Sequence, residues 1–368
     1  MKSISFLLAF SLTLTVIQFD IQAHNTVVVV PYGFNGQSDN IDVKNVITVA
    51  KSGGDFSDPR EALKSITDAS ENNRYVVYIA PGIYNLFLEG IVLRPYVSVV
   101  GAGAKSTILQ TEVADVIGNP IVNPQYIASA TLEGNNTISN LKIVNTGRGA
   151  QVGLFGIYVN GSDVSISDVE VDISQTQTSF VDGITVAQTV DDVLIQNTLI
   201  KILVRDGHSA GVASYGNGVL IRNTNIEMGV VPGTPISFTG LVGIESGDVS
   251  SGLKSLQVSN VVIFVEGSGE SSGVTGMLLL NSSAEIEYAK FDVIVSHQGS
   301  GLEIVNNSDV NIFGSTIQGL GTYISAILGS ESTTVNIANS QIVGSINGVG
   351  NLQCFNNYDE DFEAVTCP

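Results

Sequence analysis

The stretch Ile195-Gln196-Asn197-Thr198-Leu199-Ile200 holds the pattern that decides the fold: an aliphatic residue, Asn two positions on, and a second aliphatic three further. Copies start at Ile138, Ile166, Ile195, Ile221, Val258, Ile286, Ile312 and Ile337. Their +2 positions read Asn140, Asp168, Asn197, Asn223, Asn260, Tyr288, Gly314 and Asn339. The +5 position is always apolar: Ile143, Val171, Ile200, Ile226, Ile263, Phe291, Ile317 and Ile342. A recurrence of about 25 to 29 residues, with one longer gap, marks a repeat architecture in which each unit buries its core by stacking on the next.

Each unit carries a second apolar run opened by Gly, as in Gly156-Ile157-Tyr158-Val159, Gly183-Ile184-Thr185-Val186, Gly211-Val212-Ala213, Gly276-Met277-Leu278 and Gly301-Leu302-Glu303. Short Val/Ile/Thr-rich runs between Gly/Asn/Ser clusters read as strands. Two or three per unit, with no helix to cross back, predict an all-β, right-handed parallel β-helix. Asn at the repeated corner fits, because it tolerates left-handed backbone and its amide can bond to the Asn one coil away. A leucine-rich horseshoe has similar unit lengths, but here Ile and Val dominate and no helix completes each unit.

Composition agrees with this fold: 39 glycines and only 14% charged residues suit a chain of short strands and tight turns. Residues 1–23 read as a secretory signal, with Lys2, an apolar run from Ile4 to Ile17, and Ile21-Gln22-Ala23 before a cut at His24. The run is short for a membrane span, and no later segment offers one. The expected organisation is a signal over 1–23, an arm over 24–45, the β-helix over 46–353 and a tail over 354–368, in a protein that is secreted, periplasmic or extracellular. Cys354 and Cys367 are the only cysteines, and in an oxidising compartment they are expected to close a disulfide. The formal charge of −20 with no basic block argues against nucleic acid and anionic membranes, which need clustered Lys and Arg.

Ahead of the repeats, Val46–Val49 reads as a strand and Ser57-Asp58-Pro59-Arg60-Glu61-Ala62-Leu63 as a capped helix start. That helix is expected to run to about Ser70 and to cover the open end of the first coil. Strands follow at Tyr75–Ile79 and Tyr96–Val100. The segments Val49-Ala50-Lys51-Ser52-Gly53-Gly54-Asp55-Phe56, Tyr75-Val76-Val77-Tyr78-Ile79-Ala80-Pro81-Gly82-Ile83-Tyr84 and Val99-Val100-Gly101-Ala102-Gly103 resemble the N-terminal region of pectinesterases. Those proteins belong to the pectin-lyase-like group of right-handed β-helices, so the resemblance implies the same fold.

The resemblance also implies a chemistry to look for: one Asp as nucleophile on an ester carbonyl, a second Asp as acid and base, Gln side chains on the oxyanion and an Arg on a carboxylate. The loops entering the second strand of successive coils offer Gln151, then Gln177, then Arg205, Asp206 and His208. Gln177 is followed by Thr178 where the family has a Gln-Asp pair, and Trp is absent. Polygalacturonases share the fold and use clustered aspartates to hydrolyse glycosidic links. Asp182-Gly183 and Gly207-His208 partly echo their motifs. Asp182, Asp206 and His208 are therefore the candidate catalytic residues, and Gln151, Gln177 and Arg205 the candidate substrate-binding residues. Lyases of this fold hold Ca²⁺ in carboxylate clusters, whereas Asp163, Asp168 and Asp172 alternate as solvated faces, so no cofactor or metal is expected.

Two functions follow. The first is an exported β-helix that binds or displays at a polysaccharide or cell-surface glycan without catalysis. The alternative is a carbohydrate-active enzyme, pectinesterase-like or polygalacturonase-like. In both, the segments Thr111–Asn136 and Glu227–Ser255 are expected to be the long loops walling a lateral groove.

Overall fold

The computed structural model describes residues 45–112, 128–147, 154–174, 180–204, 207–231, 240–247, 252–267, 273–295, 298–320, 323–361 and 363–364. The chain is a right-handed parallel β-helix, and its described residues form a twenty-stranded sheet, a ten-stranded sheet and one short helix. Each strand pairs in parallel with the strand one coil on. Asp191–Gln196, for example, pairs with Asn217–Arg222, and Leu199–Val204 with Asn225–Val230.

The register follows the repeat. Ile138, Ile166, Ile195, Ile221, Val258, Ile286, Ile312 and Ile337 stand directly above one another. The +5 residues, Ile143 through Ile342, form a second column. Both columns are buried in one continuous core. Stacking is thus the means by which each coil removes its aliphatic face from water. Between the columns the chain turns, and every +2 residue there has left-handed backbone, from Asn197 and Asn223 at φ 49° to Gly314 at φ 58°. Some adjacent rungs bond: Asn260 Nδ2 donates to Asn223 Oδ1 at 2.8 Å, and Asn197 Nδ2 to Asp168 Oδ1 at 3.3 Å.

The ladder continues one coil past the last copy seen in the sequence. Cys354 pairs with Ile337, and Asn356, at φ 51°, donates to Asn339 Oδ1 at 3.4 Å. Cysteine in the aliphatic place hid this copy. Cys354 is disulfide-bonded and lies inside the strand Asn351–Phe355; Cys367 is outside the described residues, as are residues 1–44. A second device also lacked a sequence signal. Hydroxyls one residue after the +2 corner turn back onto the strand, Thr198 after Asn197 to Gln196 O and Ser315 after Gly314 to Phe313 O, and Ser315 Oγ also accepts from Ala289 N in the preceding coil.

At the N-terminal end the helix Pro59–Ser65 is capped by Asp58, which accepts from Arg60 N at 2.8 Å, and buries Ala62 and Leu63. It ends at Ser65, five residues short of expectation, where the chain turns extended at Ile66. The pectinesterase-like segment closes coils: Tyr84 is fully buried and donates to Ala80 O at 3.0 Å. Both expected wall loops are corrected as well. Ala128–Leu132 lies within the first, and the ends of Asn225–Val230 and all of Leu241–Ser246 within the second, and all three are coil strands. Among the described residues no helix is long and apolar enough to cross a membrane.

Candidate active site on the ten-stranded sheet

The glycine phrase builds the ten-stranded sheet. Gly156, Gly183, Gly211, Gly243, Gly276 and Gly301 form a column in which a Cβ on any one would lie 2.4–2.8 Å from the carbonyl oxygen one coil on. The same Cβ would meet an aliphatic side chain across the core, such as Ile200 from Gly183 or Ile226 from Gly211. Only glycine lets the sheets approach this closely. Around the column, Val181, Ile184 and Val186 enter the core, so Asp182 and Thr185 lie on the other face, away from it.

That outer face collects the ionisable groups of three adjacent strands, Phe180–Val186, His208–Ser214 and Leu241–Ser246. Their register sets Asp182 beside Ala210, Phe180 beside His208, and Thr185, Ala213 and Glu245 in one row. Asp182 is fully buried; its Oδ2 accepts from Thr185 Oγ1 at 2.8 Å and its Oδ1 from Ala210 N at 3.2 Å. Burial pushes its carboxyl up to about 7, with the nearby Glu245 adding to the rise. It therefore exchanges its proton near neutral pH.

His208 Nε2 lies 2.9 Å from Glu245 Oε2, with the imidazole side chain 38% exposed and the Glu245 side chain 11%. This hydrogen bond raises the His208 pKa, against the opposing effect of its own burial. A carboxyl raised to about 7 and an imidazole raised by its carboxylate partner thus share one surface, the kind of perturbation that acid–base chemistry uses. The lane continues along the helix axis. On one side Phe155 and Tyr158 stack with centroids 5.8 Å apart. On the other, Thr275 Oγ1 meets Ser300 Oγ at 3.2 Å and donates to Glu303 Oε2 at 3.3 Å.

Of the residues singled out in the sequence, Asp182 and His208 come together on this face. Asp206, Arg205, Gln151 and Gln177 lie outside the described residues. Glu245 and Thr185 were missed. Glu245 has a usable signal, since Gly243-Ile244-Glu245 repeats the phrase Gly183-Ile184-Thr185, but it falls within the segment Glu227–Ser255, whose length reads as a loop. Asp163 and Asp168 occupy left-handed corners, and Asp172 accepts from Lys142 Nζ at 2.8 Å. Among the described residues no three His, Cys, Asp or Glu side chains gather as a metal site.

No protein-family model matches the chain. Over 102 residues it is 35% identical to the probable pectinesterase 49 of Arabidopsis thaliana, and this match spans 27% of each protein. Among solved structures, a pectin methylesterase from carrot has 12% identity and a TM-score of 0.45, covering 89% of this chain and 86% of that one. The A-module of a mannuronan C-5 epimerase from Azotobacter vinelandii has 17% identity and a TM-score of 0.43, covering 82% and 91%. A pectin methylesterase in complex with a hexasaccharide has 11% identity and a TM-score of 0.42, covering 87% and 90%. The chain is thus a parallel β-helix that resembles a pectinesterase over about a quarter of its length.

Proposed function

We propose that this protein is a carbohydrate-active enzyme that hydrolyses methyl-esterified pectin outside the cell, with its reaction centred on Asp182, His208 and Glu245. The observation that carries the reading is the shared outer face of three successive coils, where a buried carboxyl shifted to about 7 lies with a His–Glu pair at 2.9 Å. His208 is the member that solvent and substrate reach. Glu245 fixes its ring and favours its protonated form, so it can give a proton to a leaving group and take one from water. Asp182 supports the pair from below as a carboxyl that is neutral or charged according to pH.

Ester hydrolysis is preferred to glycosidic cleavage for two reasons. The matched relative is a probable pectinesterase. Methyl esterification also removes the negative charge that a surface of −20 would repel, and hydrolysis recreates that charge and favours release. Binding without catalysis has less support, since the matched relative carries an enzyme's name. The test is methanol and reducing-end release from methyl-esterified pectin. Methanol release that falls by roughly 10²–10⁴-fold in His208→Ala, with circular dichroism unchanged, is the expected result. Retained pectin binding with neither product released would establish the non-catalytic alternative.

A further inference from the structure

A second surface lies on the twenty-stranded sheet, near its C-terminal end. The strands Ser282–Glu287, Asp309–Phe313, Thr334–Ala338 and Asn351–Phe355 stack in register and frame an open groove of about 640 Å³. Two outward rows line it. One row is Glu285, Asn311, Asn336 and Gln353; the other ends Phe313, Ala338, Phe355.

In the second row the rings are exposed where a sheet usually presents polar groups. Phe355 is 66% and Phe313 39% exposed, and Ala338 between them leaves a gap. Two strand spacings, about 9.6 Å, separate the two phenylalanines along the sheet. Large apolar rings left exposed in one row of a sheet face mark a binding surface. The adjoining row supplies what an apolar ligand does not need: Asn336 Nδ2 donates to Asn311 Oδ1 at 2.8 Å, and Asn311 Nδ2 and Asn336 Oδ1, outside that bond, add donor and acceptor capacity to the groove lining. Flat rings beside a row of amides match the apolar faces and equatorial hydroxyls of sugar rings.

Charge sets the class of sugar. The groove is lined by Glu285 and Glu287 and by no Lys, Arg or His, so an anionic uronate chain is repelled and has no cation to pair with. We infer that this groove binds a neutral polysaccharide, with alternate sugars seated on Phe313 and Phe355 and bonded to the amides of Asn311, Asn336 and Gln353. The surface is separate from the outer face of the ten-stranded sheet, so it would hold the protein on one polymer while another is processed.

Isothermal titration with cellohexaose, xylohexaose and hexagalacturonate tests this. At least one neutral hexamer should bind, hexagalacturonate should not compete, and Phe355→Ala and Asn336→Ala should each weaken binding at least tenfold. His208→Ala should leave this binding unchanged while lowering methanol release, so the two proposals fail independently. The inference is overturned if neither neutral hexamer binds, if binding survives Phe355→Ala combined with Phe313→Ala, or if sedimentation shows a dimer that Phe355→Ala dissociates, which would make the face an interface between copies.

Discussion

The corner of the coil and the outer face of the ten-stranded sheet are built from the same repeat and obey opposite rules. At the corner one residue type recurs: Asn140, Asn197, Asn223, Asn260 and Asn339 all hold φ between 49° and 55°. On the outer face, the position two after each glycine reads Tyr158, Thr185, Ala213, Glu245, Leu278 and Glu303, five residue types in six coils. A residue repeated in every coil serves the coil. A place whose residue varies from coil to coil is released from that duty, and ligand chemistry can occupy it.

The glycine column is the sharpest case of the first rule, and breaking it should have the largest effect. A Cβ at Gly211 would lie 2.4 Å from Ile226 Cγ2 and 2.5 Å from Gly243 O. The carbonyl is backbone and cannot rotate away, so Gly211→Ala should cost roughly 4 kcal/mol or more, at or beyond the upper range of overpacking. Urea denaturation checks it. A loss under about 1 kcal/mol would mean that the coils can slide apart and that glycine is there for another reason.

The second rule predicts a pH dependence centred on the outer face. The Asp182 carboxyl rises from 3.8 to about 7 because it is buried. Between those values the native state keeps a proton that the unfolded chain has released, so stability falls as pH rises from about 4 to about 7, by up to roughly 4 kcal/mol. His208, raised by its bond to Glu245, acts in the same direction, its contribution being lost as pH passes its raised value. Asp182→Asn can keep both contacts, accepting from Ala210 N and donating to Thr185 Oγ1. It should be no more stable than wild type at pH 4, more stable at pH 8, and should leave only the slope due to His208. Parallel stability curves for the two proteins would remove Asp182 from the account.

This contrast also explains what was legible in the sequence. Corner and core columns are written once per coil, so the eye averages over copies, and register and burial followed from Ile138 to Ile342. The copy at Cys354 escaped because one atypical residue occupied the aliphatic place. The site has no copies to average. Asp182 and His208 were found by chemistry and partial motif, whereas Glu245 went unseen because its coil is the longest, 37 residues from Ile221 to Val258, and its strand was read as loop. The Glu245–His208 contact crosses a gap of 37 positions, which only the strand register brings together.

Within the ladder, geometry and hydrogen bonding can be separated at Asn223. It sits at φ 49° and accepts from Asn260 Nδ2 at 2.8 Å. Asn223→Ala should cost about 2 kcal/mol, combining left-handed strain with one lost bond. Asn223→Gly keeps the backbone and loses only the bond, so it should recover about half. If both variants lose equally, the rung matters only through its amide.

The smallest effect tests whether the one break in the ladder is a unit. Tyr288 occupies an Asn place at φ 53°, and its ring lies over the next place, where a Cβ on Gly314 would come within 2.8 Å of the ring carbon Cε1. Glycine at 314 is therefore imposed by tyrosine at 288, and the ring is held by an edge-on contact with Phe313 at 5.6 Å. Gly314→Asn alone should cost about 1 kcal/mol, because the ring must swing off that contact. Tyr288→Asn alone should lose the same contact and gain only half a rung. Together the two changes complete the column from Asn260 to Asn339, and their combined cost should fall short of the sum by about 1 kcal/mol. Additive costs, read from the same denaturation curves, would show that Tyr288 and Gly314 are two independent departures and that the ladder tolerates a missing rung wherever it falls.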